Sequence, residues 1–269
     1  MSETDRVFTS SIAGFYDRYL GPLIFVDYAE DLARRAVGLH PGRVLETAAG
    51  TGIVTRALAR ILAAEAEITA TDLNQAMLDF AVAQSGSERV TWRQADAQRL
   101  PFEDGSFDMV LCQFGLMFFP DRLAGYREAK RVLKSGGQFL FSVWDRIEEN
   151  EISQIVTEAI AALFPEDPPQ FLARTPHGYH DVAVIERELS AAGFTRIAVE
   201  TVAHRSRAPS PRDPAIGFCH GSPLRMEIEA RAADRLEAAI GAATAAITAR
   251  FGTGAVDGKI QAHIVTASR

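Results

Sequence analysis

The chain is poor in cysteine: its 269 residues include only Cys112 and Cys219. Two cysteines do not make a disulfide framework, so the fold must rest on a buried apolar core, which a chain of this length can build. No apolar run reaches the ~20 residues that span a bilayer. The polar start, Met1-Ser2-Glu3-Thr4-Asp5-Arg6, has no apolar signal core behind it. No integral membrane segment and a cytoplasmic location are therefore expected. Positive charge is also in short supply. A formal net charge of −7 argues against broad binding to a phosphate backbone, where Lys and Arg must displace counterions. Arg205-Ser206-Arg207 with Arg212 is the one local basic cluster. It reads as a solvated loop, and no nucleic-acid partner is expected. Metal-site spacing is missing as well: no cysteine or carboxylate stands at a ligand interval from His177 and His180, Asp181 reads as a helix cap, and no metal is expected. There are no internal repeats and no low-complexity tracts.

What is present is concentrated in Val44-Leu45-Glu46-Thr47-Ala48-Ala49-Gly50-Thr51-Gly52. An apolar strand ends in an acid, passes through small residues and opens a helix, in which Ile53, Val54, Ala57, Leu58, Ile61 and Leu62 repeat at helical spacing. Gly50 and Gly52 carry no Cβ and let backbone come close to a nucleotide-like ligand, while helical amides point into the same space. A dinucleotide reader would show a third glycine where Thr55 stands. Ile68-Thr69-Ala70-Thr71-Asp72 reads as a second strand ending in a carboxylate, whose two oxygens can accept from both hydroxyls of a ribose. Asn74 is placed to cap a helix from about Gln75. Leu73 and Met77 offer apolar surface beside a purine ring, although Met77 reads equally well as core.

Two further segments sharpen the picture. Val90 to Ala97 is a strand ending in Asp96-Ala97, followed by Leu100-Pro101-Phe102, the turn Glu103-Asp104-Gly105-Ser106, and the apolar strand Phe107-Asp108-Met109-Val110-Leu111-Cys112-Gln113 with Phe114 after it. Arg131-Val132-Leu133-Lys134-Ser135-Gly136-Gly137 then leads into a fifth strand. These four ordered motifs closely resemble the class I S-adenosylmethionine-dependent methyltransferases, and within them the branch acting on ubiquinone and menaquinone precursors. Ala48 stands where the first glycine is commoner, and Ser135 where proline is usual. The resemblance is strong over residues 40 to 145 and extends elsewhere only in layout. It implies S-adenosylmethionine as cofactor, held by Glu46, Ala48, Gly50 and Gly52 in the loop, Asp72 at the ribose, Leu73 and Met77 at the adenine, Asp96 with Ala97 at its amino group, and Gln113 with Phe114 at the methionine part. It also implies that Tyr16, of the Tyr16-Asp17 pair, lies over the cofactor.

Alternation of strands and helices predicts an α/β fold, a Rossmann-like doubly wound sheet of seven strands, mostly parallel, whose last strand (Lys259 to Ala267) is antiparallel as the resemblance implies. The other strands are expected near 43–47, 68–72, 90–95, 107–113, 137–144 and 194–202. Asp121 is expected to cap a helix running to Ser135 and stopped by Gly136, and Asp181 one running from Val182 to Ala192. A single domain is expected, with an N-terminal helical lid over 1–38, a cofactor-binding core over 40–145, and helical substrate-cap insertions at 146–180 and 203–258. The second insertion carries Pro209, Pro211, Pro214 and Pro223, then a helix from about Leu224 to Arg250 with an apolar stripe of Met226, Ile228, Leu236, Ile240 and Ile247. Packing against the sheet is the plain reading of that stripe; a homodimer contact or a substrate lid is the alternative.

Leu116, Met117, Phe118 and Phe119 follow the fourth strand and suit an apolar or aromatic methyl acceptor, or simple core. His177, His180, His204 and His220 all lie in the insertions, where a lone histidine is more often surface decoration, and no general base is assigned. A small-molecule methyltransferase leads. A regulatory protein that binds S-adenosylmethionine without transferring its methyl is the alternative. A nicotinamide-dependent oxidoreductase is disfavoured by Thr55 and by Asp96-Ala97.

Overall fold

The computed structural model describes residues 10–86 and 89–269; Phe8 and the rest of the expected lid before Ser10 lie outside the described residues. Seven strands form one sheet: β1 (Arg43–Glu46), β2 (Glu67–Asp72), β3 (Val90–Gln94), β4 (Phe107–Gln113), β5 (Leu133–Trp144), β6 (Thr195–Ala208) and β7 (Val256–Ser268). Their order is β3-β2-β1-β4-β5-β7-β6. β1 to β5 pair in parallel. β7 runs antiparallel: the Arg269 amide meets the Gly137 carbonyl at 3.0 Å and the Asp145 amide meets the Gln261 carbonyl at 3.1 Å, so one strand rises as the other falls. The order reverses between β1 and β4, and the carboxyl ends at such a switch point are where ligands bind in sheets of this class.

The chain divides into two compact units. One comprises the described residues up to Asp27, Trp144–Tyr179 and Ala203–Gln261; the other comprises Tyr28–Val143, His180–Val202 and Ala262–Arg269. The second unit holds the parallel strands. Val44, Leu45, Val110, Leu111, Leu140 and Phe141 are fully buried along them, as expected of strands covered on both faces. Helix α3 (Ile53–Ile61) crosses from β1 to β2 and α4 (Gln75–Ser85) from β2 to β3. α5 (Arg122–Val132) packs on α8 (Val182–Ala191).

Asp121 caps α5 by accepting from the Ala124 amide at 2.9 Å, but the helix stops at Val132 rather than Ser135. Leu133 is fully buried and pairs with Phe107, after which the register jumps to Met109 opposite Gln138. β5 thus begins four residues before the expected 137. Gly136, at φ +78°, turns this bulge instead of ending the helix. Asn74 occupies the cap position of α4 without a side-chain capping bond. Asp181 caps α8 as expected, accepting from the Ala183 amide at 2.9 Å and the Val184 amide at 3.3 Å.

In the other unit, α1 (Ser10–Phe15) runs into a π-helical stretch, Tyr16–Phe25, that contains Pro22. The first insertion forms α6 (Glu151–Ala161) and the short α7 (Phe171–Arg174). Three helices replace the single one expected in the second: α9 (Arg212–His220), α10 (Leu224–Arg231) and α11 (Leu236–Phe251). Pro214 is tolerated because it falls in the first turn of α9, where amides have no intrahelical partner. The chain breaks at Ala232, which takes an extended backbone. There Arg231 bonds the Asp167 carbonyl at 2.6 Å and Arg235 the Leu163 carbonyl at 3.1 Å. Ala239, Ile240, Ala243 and Ile247 are fully buried, and α11 packs on α6 and α9. Neither cysteine is in a disulfide. Among the described residues, no helix is long and apolar enough to cross a membrane.

Replacing the cap, Asp181→Ala, is expected to lower the unfolding free energy by about 1 kcal/mol, measured by urea denaturation.

Candidate cofactor site

The site begins with a conformational demand. Between Glu46 and α3 the chain must turn back sharply, and it does so with left-handed backbone at Ala48 (φ +53°), Gly50 (φ +57°) and Gly52 (φ +79°). Glycine adopts this region freely, whereas alanine pays about 1–2 kcal/mol. Ala48 is therefore strained, which accounts physically for glycine being the commoner residue at its position. The neighbouring β4 loop makes room for it: a Cβ on Gly115 would come within 2.6 Å of the Ala48 Cβ and 2.7 Å of the Cys112 sulfur. Gly52 has a different reason to be glycine, since a Cβ there would meet the Trp92 ring at 2.7 Å. Neither Gly115 nor Trp92 is flagged by any local pattern; only the packing brings them to the loop.

Two buried carboxylates hold the turn. Asp72, at the tip of β2, accepts from the Gly50 amide through Oδ2 at 2.8 Å and from the Asn74 amide through Oδ1 at 2.8 Å. Oδ1 also takes the Asn74 side-chain amide at 3.4 Å, so it is Oδ2, with two lone pairs and one of these bonds, that keeps capacity for a ligand hydroxyl. Burial pushes the Asp72 carboxyl up, against the pull of these amides. Glu46, at the tip of β1, is fully enclosed and takes the Thr55 hydroxyl at 2.5 Å. Burial pushes its carboxyl up to about 8; the Thr55 hydrogen bond opposes the rise, and the neighbouring Asp72 charge adds to it. Thr55, noticed in the sequence only as a missing glycine, is thus the donor that satisfies a buried acid.

The remaining expected residues, Tyr16 apart, lie along the same unit. Met77 is buried, with its methyl 3.6 Å from where a Gly50 Cβ would stand, while Leu73 is 41% exposed beside Asp72. Asp96 closes a small turn, accepting from the Gln98 amide at 2.8 Å, and Ala97 is buried after it. Gln113 ends β4 half-buried. Phe114 is left-handed at φ +52°, an uncommon state for a bulky residue. It is held there by its amide on the Ser142 carbonyl at 3.0 Å and by an edge contact with Tyr28 at 5.3 Å. Tyr16 belongs to the other unit, where it stacks on Phe25 at 4.8 Å. Leu116 and Met117 are core. His177 is no surface residue: it is buried and bonded to the Asp145 carbonyl at 2.8 Å. No cluster of metal-binding side chains occurs among the described residues.

The unit offers a fit for a nucleoside-bearing cofactor on three counts: a carboxylate with spare acceptor capacity, bare apolar surface at Leu73, and a buried Thr51 hydroxyl in the loop with no hydrogen-bond partner. Comparison with known proteins agrees. The methyltransferase domain family matches residues 45–141. The ubiquinone/menaquinone biosynthesis C-methyltransferase of Pseudomonas aeruginosa is 30% identical over 174 residues, covering 60% of this chain and 68% of that protein. The chain belongs to the class I S-adenosylmethionine-dependent methyltransferases. The fold of this methyltransferase is likewise shared with phosphoethanolamine N-methyltransferase 2 of Haemonchus contortus in complex with S-adenosyl-L-methionine (TM-score 0.61, 18% identity, 97% of this chain and 57% of that one). A S-adenosylmethionine-dependent methyltransferase of Aquifex aeolicus also shares it (TM-score 0.53, 19% identity, 73% and 93%). Family membership removes the oxidoreductase reading, and nothing supports a non-catalytic binder.

For the methyltransferase, Asp72→Ala is expected to weaken S-adenosylmethionine binding by about 1–3 kcal/mol, the scale for hydrogen bonds to a charged group, measured by titration calorimetry. Glu46 gives a pH signature. Its folded pKa of about 8 lies above the unfolded value, so the native state binds the extra proton and stability falls as pH rises between the two. Urea denaturation from pH 5 to 8 should show that fall, and Glu46→Gln should flatten it.

Proposed function

We propose that this methyltransferase transfers the methyl to a small aromatic acceptor of the quinol type, bonding it to ring carbon. The observation that carries this reading is the 30% identity, over 68% of its length, to a protein named as a ubiquinone/menaquinone biosynthesis C-methyltransferase. Residues Glu46, Ala48, Gly50, Gly52, Asp72, Leu73, Met77, Asp96, Ala97, Gln113, Phe114 and Tyr16 are the proposed cofactor contacts. In this assignment, residues 40–145 hold the cofactor. Residues 1–38 act as lid, and the insertions at 146–180 and 203–258 bind the acceptor.

When bound, S-adenosylmethionine supplies an electrophilic methyl on a sulfonium. The protein supplies the rest. Asp72 orients the ribose through the lone pair that the Gly50 amide leaves over on Oδ2, and the strained Ala48 turn brings backbone close to the ligand. Positioning the acceptor atom in line at near-attack distance is the main source of rate in such a reaction. Dry apolar surroundings help, because charge is lost from sulfur as the methyl moves. The formal charge of −7 supports a small molecule rather than a nucleic acid as acceptor, and we place the reaction in the cytoplasm. A homodimer would have to use surface other than the α11 stripe, since α6 and α9 already cover Ile240 and Ile247.

The test is transfer of tritiated methyl from S-adenosylmethionine to demethylated benzo- and naphthohydroquinones, with phosphoethanolamine and transfer RNA as competitors. Label should enter the hydroquinone at carbon, located by NMR of the product. Label found only in the amine or the RNA would overturn the acceptor assignment.

A further inference from the structure

Arg205 and Arg207, expected from the sequence to stand in a solvated loop, belong to β6, while Arg212 stands apart in α9 and pairs with Glu237 at 3.3 Å. A strand holds two arginines in register, which a loop does not. We propose that Arg205, Arg207 and Lys259 line a binding site for a phosphomonoester. The inference holds whichever acceptor is methylated.

Alternation along a strand puts residues i and i+2 on one face. Ala203, Arg205 and Arg207 therefore share a face of β6, and Asp257 and Lys259 share a face of β7, the neighbouring strand. The opposite face of β6 is anchored: Ser206 is fully buried, and its hydroxyl donates to the Leu23 carbonyl at 3.0 Å. The arginines line a surface cavity of about 420 Å³, together with Asp27, Ala203, His204 and Lys259. All of these residues belong to one compact unit.

Three permanent cations against one acid is an uneven wall for a chain with a formal net charge of −7. A concave surface lined by one sign of charge focuses the field and concentrates counter-ions. The acids that restrain these cations do not line the cavity. Arg205 donates through Nε to Asp257 Oδ1 at 2.6 Å and through Nη2 to the Asp257 carbonyl at 2.6 Å. Arg207 reaches Asp257 Oδ2 through Nε alone, at 3.4 Å. One carboxylate is thus shared by two guanidiniums, and both terminal nitrogens of Arg207, whose side chain is 65% exposed, keep their donors. Lys259 Nζ lies 2.5 Å from Glu149 Oε2, but Glu149 also takes Arg146 at 2.9 Å, so this acid too is divided between two cations.

Two guanidiniums and an ammonium suit an anion with several acceptor oxygens and more than one charge, which a phosphomonoester supplies and a carboxylate does not. The volume falls in the range of small-molecule sites, so it leaves room for an organic body beside the phosphate. Asp27 opposes a bare anion and favours a body that carries a hydroxyl. The same chemistry occurs in soluble phosphomonoesters and in the headgroup of phosphatidic acid.

The test is titration calorimetry at fixed ionic strength, set with sodium chloride, with glycerol 3-phosphate as probe. In parallel, the protein is sedimented with phosphatidylcholine vesicles that contain or lack phosphatidic acid. Saturable binding of glycerol 3-phosphate assigns the site to a soluble ester; binding to the phosphatidic-acid vesicles alone assigns it to the lipid headgroup. In either case Arg207→Gln should weaken binding by about tenfold to a hundredfold, the scale for losing hydrogen bonds to a charged group, and Arg207→Glu should abolish it. Both variants should keep wild-type thermal stability and S-adenosylhomocysteine affinity, because Arg207 is exposed and holds one long bond. Arg212→Gln, which removes an equal charge outside the cavity, should bind like wild type. Binding of neither probe would overturn the proposal, as would undiminished binding by Arg207→Glu or an equal loss in Arg212→Gln. No readout involves methyl transfer, so such a failure leaves the quinol reading standing.

Discussion

The hydrogen bond from the Gly50 amide to the Asp72 carboxylate, 2.8 Å long, joins the two strand tips on which the cofactor site depends. It crosses from the loop after β1 to the end of β2, so the left-handed turn and the proposed ribose acceptor cannot move independently. A carboxylate this buried is costly unless its oxygens are satisfied, and the Gly50 and Asn74 amides satisfy them in part. What remains unsatisfied is what a nucleoside can use. The site is therefore built from a group that the fold itself needs.

Glu46 plays the complementary role one strand away. It is sealed under the loop by Thr55, with the Thr71 hydroxyl donating to its backbone carbonyl at 3.1 Å. The two acids lie in close quarters, and burial displaces both upward. The left-handed Ala48 and Phe114 stand at the ends of β1 and β4, on either side of the point where strand order reverses. Strained backbone concentrated at a ligand edge fits a turn shaped for binding rather than for stability.

The helical unit follows another logic. Its helices bury small and branched residues against one another: α11 on α6 and α9, with Gly217 of α9 close against Tyr19 and Leu20 of the π-helical stretch. Polar side chains are buried there too, among them Asp145, Asn150, Ser153, Thr175 and His177. A buried polar ring needs a partner, and the Asp145 carbonyl provides one for the His177 Nδ1 at 2.8 Å.

Much of this was legible in the residues themselves, because strand tips, glycine turns and caps are local. Alternation and apolar runs located all seven strands, and Asp121 and Asp181 cap where their positions said they should. Glu46, Gly50, Asp72 and Asp96 could be picked out because an acid or glycine at a strand end has few local reasons to be there. Only tertiary structure decided the rest. The helix before β5 ends at Val132 because Leu133 is drawn into pairing with Phe107, and the expected long helix splits where Arg231 and Arg235 reach carbonyls about seventy residues away in sequence. Thr55 as donor to Glu46, Gly115 as the space for Ala48, and the Asp145 carbonyl as partner of His177 are contacts between segments distant along the chain or folded back on it. Local propensity carries no information about such contacts. The residues determined the family and the strand tips; packing determined which atoms at those tips are satisfied and which are left to bind.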